Sequence, residues 1–290
     1  MPQRSRVIQL PSSGKLRAPP CGCYVWVMNR KFLWQRDSLK AKDWSAAPIL
    51  RAAAPMFSPE QIRLDGLIPN ILDQGSLGAC TANAVAQSLR AAMRHSGHMT
   101  SMIASRLFLY YFARAMTQAT QVDSGTSIRS VFDVVRKLGF CPEIAWVYND
   151  GPDKFRSLPS GAATRSAYDQ LGGFGYFRID STGARRVFDV RTAIAAHYTV
   201  VFGAQVSNKF AEFKPDSPPL NPPGAGETIL GGHALLAAGY TPNFIWVANS
   251  WGSEYGIAGW LKMTDAYIAD DRAGDFWIIE TSPNFMEAVA

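Results

Sequence analysis

The run Asp73-Gln74-Gly75-Ser76-Leu77-Gly78-Ala79-Cys80-Thr81-Ala82-Asn83-Ala84 constrains the fold more than any other stretch of the chain. Gly75, Ser76 and Gly78 prescribe a tight turn, since glycine reaches backbone conformations closed to other residues and serine favours turns. From Cys80 the pattern becomes helical. Val85, Leu89, Ala92 and Met93 share one face at 3.6-residue spacing, and Gly97 stands just past the end. The turn therefore delivers a cysteine to the start of a helix, where unpaired N–H groups and the helix dipole stabilise a thiolate. A lone cysteine is more often a core residue; its place directly after a turn, rather than mid-face, argues for a nucleophile.

Two further motifs lie far downstream: Gly231-Gly232-His233-Ala234 and Asn249-Ser250-Trp251-Gly252. Of the four histidines, His95, His98 and His197 fall near predicted helix ends, where capping or solvent exposure accounts for them. His233 instead opens an apolar strand behind two glycines, which leave room for a partner and a substrate. Asn249 ends the next predicted strand, a short hairpin away, where its side chain can orient an imidazole. Trp251 can shield that hydrogen bond from water. Cysteine, histidine and asparagine in this order are the parts of a thiol nucleophile with an oriented base. Gln74 can donate its side-chain amide to an oxyanion beside the Cys80 N–H; taken alone it would read as a loop glutamine.

The 290 residues suffice for one or two domains with a full core, and 47% hydrophobic against 18% charged residues fits a globular protein. Helical patterns continue over 104–118 and 126–138, the latter stopped by Gly139 with Pro142 beyond. After Gly172-Gly173 the character changes. Strand patterns cover 174–180, 199–206, 233–240, 244–249, 259–263 and 276–280, with a helix over 185–197 and a proline-rich surface loop over 215–226. The expected fold class is α+β: a helical lobe over about 70–172 and an antiparallel β-sheet or barrel lobe over about 173–290, with a cleft between them.

Residues 1–57 differ from the rest. They hold ten Lys or Arg against Asp37 and Asp43, while residues 58–290 carry a slight acidic excess. Prolines 11, 19, 20, 48 and 55 break long elements there, yet Tyr24, Trp26, Phe32, Trp34 and Trp44 need a surface to pack on. Nucleic acid is not expected as a partner, since the charges are interspersed with prolines and form no recognised motif. No run is apolar enough to span a bilayer, and Tyr24–Met28 is too short for a signal-peptide core. Membrane association is not expected, and a cytoplasmic location is the default. Cys21 and Cys23, separated by one glycine, are poorly placed to bond each other, and this pair alone is too little for a zinc site, which needs four ligands. No metal and no cofactor is expected.

The glutamine-turn-cysteine motif, the small-His-Ala strand and the Asn-Ser-Trp-Gly motif, in this order, resemble the papain family of cysteine peptidases. The resemblance covers about residue 58 to the end, and the Cys80-to-His233 separation lies near the upper end of the roughly 130–150 residues known for that family. The Leu77-Gly-Ala-Cys-Thr-Ala-Asn pattern is similar to bacterial members with short prosegments. The resemblance implies a two-lobed fold and an endopeptidase acting on peptides or proteins. Cys80 would be its nucleophile, His233 base and acid, Asn249 the orienter and Gln74 an oxyanion-hole donor. It further implies substrate contacts at Gly125, Thr126, Gly232 and Trp251, and approximate alignment adds Phe202 and Ile279 to the specificity pocket. Residues 1–57 then read as an inhibitory prosegment, the chain's own partner, laid across the cleft between Cys21 and Arg36, ahead of a peptidase domain over 58–290. The long helical prosegment of many relatives is missing. Leu77 stands where secreted relatives have a disulfide cysteine, and Thr81 replaces the usual aromatic. A thiolate-stabilising environment, hence a low Cys80 pKa, is expected. The reading from another class is a catalytically silent binding protein on the same fold, against which the intact Cys80, His233, Asn249 and Gln74 weigh.

Overall fold

A computed structural model describes residues 29–38, 43–53, 59–97, 101–171 and 173–281. Cys21, Cys23 and His98, with most of the basic segment, lie outside the described residues.

Helix α2 (Cys80–His95) is the axis of the molecule. Its sequence pattern suggested one apolar face, but all of Cys80–Ala91 is buried. The reason is that both sides are covered. On one side lie α3 (Arg106–Ala115) and α4 (Ile128–Leu138); on the other lie strands β4 (Ile229–Tyr240) and β7 (Ala273–Thr281). Ala82, Ala84, Ala86 and Ala91 are small enough to admit this close double packing. The helices flanking α2 are capped by serines at their starts, and α4 is ended by a glycine. The Ser105 and Ser127 hydroxyls accept from the N–H groups of Phe108 and Ser130. Gly139 ends α4 at φ 75°, with the Ala167 carbonyl where a Cβ would lie.

The second lobe is built on an antiparallel sheet. Strands β2 (Phe174–Ile179), β3 (Val200–Ser207), β5 (Ile245–Ala248) and β6 (Trp260–Met263) match the expected segments within a few residues. So does helix α6 (Gly183–Ala195). The sheet has seven strands in the order β2-β7-β3-β4-β5-β6, with β1 (Ile62–Arg63) pairing on β4. His233 does not open its strand, as expected, but sits inside it opposite Ala204, because Gly231 and Gly232 continue the ladder against Val206 and Gln205. Ala237 pairs with Val247 and Leu236 with Ala248, which brings Asn249 back beside His233.

Four short helices escaped the sequence reading: α1 (Ala47–Ala53), α5 (Gly161–Tyr168), α7 (Asn208–Ala211) and α8 (Asp265–Ala269). Pro48 is read as breaking long elements, and α1 is short; the proline stands in its first turn, where no intrahelical N–H bond is lost. Helix α1 packs on α6, and the backbone of Trp44–Ala46 bonds to Arg178 of β2. The stretch 43–53 is thus built into the second lobe.

A buried charge cluster fixes the chain just before this stretch. The Asp37 carboxylate accepts from the Arg129 backbone N–H at the start of α4 and from the Trp277 indole, while the Asp37 N–H donates to Asp275 at 2.7 Å. Arg129 pairs with Asp43, and Arg178 reaches Asp37 at 3.5 Å and Asp275 at 2.8 Å. Burial, and then the neighbouring Asp37, raise the Asp275 pKa. Removing one cation leaves carboxylates buried and unpaired, which costs far more than the net worth of the pair. Arg178→Met should therefore lower unfolding stability by about 3–5 kcal/mol in urea melts. A loss near the ~0.5 kcal/mol of an ordinary surface substitution would show that the cluster is not structural.

Candidate active site

Cys80 begins α2 and is fully buried. Its thiol lies against the backbone N–H groups of Thr81, Ala234 and Leu33. Ala234 follows His233, so the end of the helix and the middle of β4 meet at this atom. The His233 ring bonds through Nε2 to Asn249 Oδ1 at 2.8 Å, and the same oxygen accepts the Ser250 N–H. An acceptor at Nε2 requires that nitrogen to carry the proton, which leaves Nδ1 as the basic atom. Nδ1 is buried without a hydrogen-bond partner. Trp251 lies with its ring centroid 5.4 Å from His233, and Phe210 and Phe32 close the remaining sides at 5.5 and 5.9 Å.

Gln74 is buried and aimed. The Ser250 hydroxyl donates to its Oε1 at 2.7 Å, which turns Nε2 toward Leu77 O at 2.9 Å and Lys31 O at 3.4 Å. Its backbone N–H donates to Ser250 O, so one residue ties the turn before α2 to the turn after β5. Thr81 leaves its hydroxyl buried without a partner.

An extended stretch, Arg30–Arg36, runs through the groove between the lobes. Leu33 bridges to Gly232 and Trp34 to Thr126, both in parallel sense. Trp34 N–H donates to Gly232 O at 2.9 Å, and Gln35 N–H to Thr126 O at 3.2 Å. The candidates Gly125, Thr126 and Gly232 thus all touch this segment. At Gly125 (φ 71°) a Cβ would meet Leu33 O at 1.9 Å, so only glycine fits, but its N–H donates to the Tyr110 hydroxyl rather than to the segment. Trp251 meets the segment through Phe32, at 5.7 Å between centroids. The Trp34 indole lies where a Cβ on Gly203 would stand, 1.9 Å from the ring. Alternation along β3 puts Gly203, not Phe202, on this face. Phe202 stacks on Phe276 instead, and Ile279 lines a separate cavity with His95 and His197. Gly203 carries no side-chain chemistry, and only the space it leaves for Trp34 reveals it.

Covering the site changes its electrostatics. Burial pushes the Cys80 thiol up to about 11 and, against the opposing Asn249 hydrogen bond, the His233 imidazole down to about 4. The low cysteine value expected from the helix start is absent, because desolvation beneath the segment outweighs the N–H groups.

A peptidase C1-like protein of Acanthamoeba polyphaga mimivirus is 37% identical over 218 residues, which span 72% of this chain and 69% of the viral protein. The chain belongs to the papain-like cysteine peptidases. No protein-family model matches it. Among solved structures, xylellain, a cysteine protease from Xylella fastidiosa, is similar at a TM-score of 0.76 and 29% identity, covering 87% of this chain and 98% of xylellain. A procathepsin B from Trypanosoma congolense, at 0.64 and 13% identity with 89% of each chain covered, shares the fold. This papain-like chain is a protease whose described helices include none long and apolar enough to cross a membrane. Its described residues hold no cluster of three or more His, Cys, Asp or Glu placed for a metal.

With thiol and imidazole both neutral in the covered state, the native full-length protein should show no Cys80 thiolate absorbance, against a Cys80→Ala baseline, from about pH 5 to 9. A thiolate signal already present near pH 6 would contradict this reading of the site.

Proposed function

We propose that the chain is an autoinhibited cysteine endopeptidase in which Cys80, His233, Asn249 and Gln74 do the chemistry and residues 29–37 block it. The observation that carries this reading is the segment's course over the groove, which leaves Cys80 and His233 with no exposed surface. Inhibition then has two parts. The segment excludes substrate, and by desolvating the pair it keeps the proton on sulfur.

Once the segment moves away, water re-enters. Relief of burial lowers the cysteine pKa and raises that of histidine, so the proton passes from Sγ to His233 Nδ1. The thiolate attacks the scissile carbonyl and forms the C–S bond. The oxyanion is held by Gln74 Nε2 and the Cys80 N–H, sites where Lys31 O and the helix start now face each other. His233 returns its proton to the leaving nitrogen as the C–N bond breaks. It then takes a proton from water, which hydrolyses the thioester and frees Cys80. Asn249 keeps the ring turned throughout.

The inhibitory part is shorter than 1–57. Residues 43–53 pack as part of the second lobe, so opening requires only the stretch ahead of Asp37 to lift. Trp34 is its largest buried anchor, and a buried tryptophan commonly dominates such contacts. Trp34→Ala in the full-length chain should raise hydrolysis of an unstructured protein substrate by at least about tenfold. Cys80→Ala on that background should abolish it. Unchanged activity in the first variant would remove the inhibitory role; persistent activity in the second would remove Cys80 as nucleophile.

A further inference from the structure

The contact between Lys31 and Asp123 goes unused by the chemistry above, and it bears on which peptides the site accepts. Lys31 Nζ lies 2.5 Å from Asp123 Oδ2. Asp123 is not an ordinary surface acid: its side chain is only 7% exposed, whereas that of Lys31 is 47% exposed. The carboxylate is also built in place. Tyr110, inside α3, donates its hydroxyl to Asp123 Oδ1, and the Gly78 N–H donates to both oxygens at 3.1 Å. Tyr110 in turn accepts the Gly125 N–H at 3.0 Å. One aspartate thus joins the turn before Cys80 to the Gly125 loop along the helical side of the groove, with one oxygen edge turned toward Lys31.

The position of that edge matters. Gly78 is two residues ahead of Cys80. The Leu33 N–H touches the Cys80 thiol, and the Lys31 carbonyl faces Gln74 Nε2. The segment therefore straddles the nucleophile where Lys31 reaches Asp123. When it lifts, Asp123 loses the one cation directly paired with it among the described residues, while Tyr110 and Gly78 still hold it and the buried Arg114 acts on it only from beyond ion-pair distance. A buried carboxylate left without a directly paired cation beside the reacting atoms favours whatever cation can replace Lys31. The surroundings agree in sign. Asp73 pairs with Arg30, and Asp150 accepts from the Ser76 N–H, so three carboxylates ring the Gly75–Gly78 turn. Arg106 offsets part of this charge through the Asp73 carbonyl and Glu143.

Building on the peptidase reading above, we infer that Asp123 is a specificity-determining residue that selects peptides with a lysine or arginine adjoining the bond to be cut. The basic segment inhibits in part by placing its own lysine on this carboxylate. A purely structural Asp123, bracing Gly78 and Gly125, would affect all substrates alike, and that difference makes the two roles separable.

The test compares two full-length chains, both opened by Trp34→Ala and carrying in addition Lys31→Ala or Lys31→Ala/Asp123→Asn, on a pair of peptides that differ only in lysine or norleucine at the residue preceding the cleaved bond. Taking the ratio of kcat/KM for the two peptides within each chain cancels the fraction of molecules with the groove open. The Lys31→Ala chain should prefer lysine by about ten- to a hundredfold, the range for a hydrogen-bonded charge. The Asp123→Asn substitution preserves the shape and hydrogen-bonding reach of the side chain, and with it the ratio should fall to within about threefold of unity while norleucine cleavage persists. A ratio near one in the Lys31→Ala chain, or a ratio unchanged by Asp123→Asn, or an equal loss on both peptides, overturns the inference and leaves the peptidase reading standing. Cleavage of neither peptide by either chain overturns both.

Discussion

Everything at this site depends on how closely helix α2 approaches strand β4. The nucleophile candidate stands at the end of a helix and the base candidate in the middle of a strand, and nothing covalent holds them together. They meet because alanines along α2 let the sheet approach on one side while α3 and α4 press from the other. A close-packed interior of this kind transmits displacement rather than absorbing it. The Ser250–Gln74 hydrogen bond then pins the turn ahead of the helix to the turn after β5. Helix start, candidate oxyanion donor and candidate histidine orienter are thus parts of one packed unit, and the geometry of the site follows from core packing.

The elements that position the site were legible in the sequence where local chemistry matched the final environment. The turn-helix at Cys80, the glycine stop of α4, and the alternation of the strands all express rules that act within a few residues. Other features were hidden because they arise from contacts distant in sequence. The all-round burial of α2 looked one-sided, since alanines count little in a hydrophobic pattern. The pocket floored by Gly203 has no sequence signal, as its content is the absence of a side chain. The raised pKa of Cys80 followed from a segment about fifty residues upstream, which a helix-dipole argument cannot see. Trp251 was expected to shield His233, and the aromatic wall around that ring contains it, together with Phe32 and Phe210.

The charge split at the amino-terminal side acquires a physical meaning here. Arg30 and Lys31 meet Asp73 and Asp123 on the helical lobe, while Asp37 enters a buried cluster of opposite logic, with its own carboxylate supplied to Arg129 and Arg178. The first pair of contacts is partly open to solvent and screened by salt. The second is enclosed and insensitive to it. Among the described residues, the segment is thus tied to the helical lobe by contacts that salt can reach and to the buried cluster by contacts that it cannot.

The most direct measurement of this account is amide hydrogen exchange along 30–46, before and after Cys80 is capped by an epoxide inhibitor of the papain type. The N–H groups of Trp34 and Gln35, bonded to Gly232 and Thr126, should be protected in the free protein and lose protection on capping. Ala46, bonded to Arg178, should keep its protection. Capping of Cys80 with Trp34 and Gln35 still protected would mean that the groove is open without the segment moving, and would contradict the account.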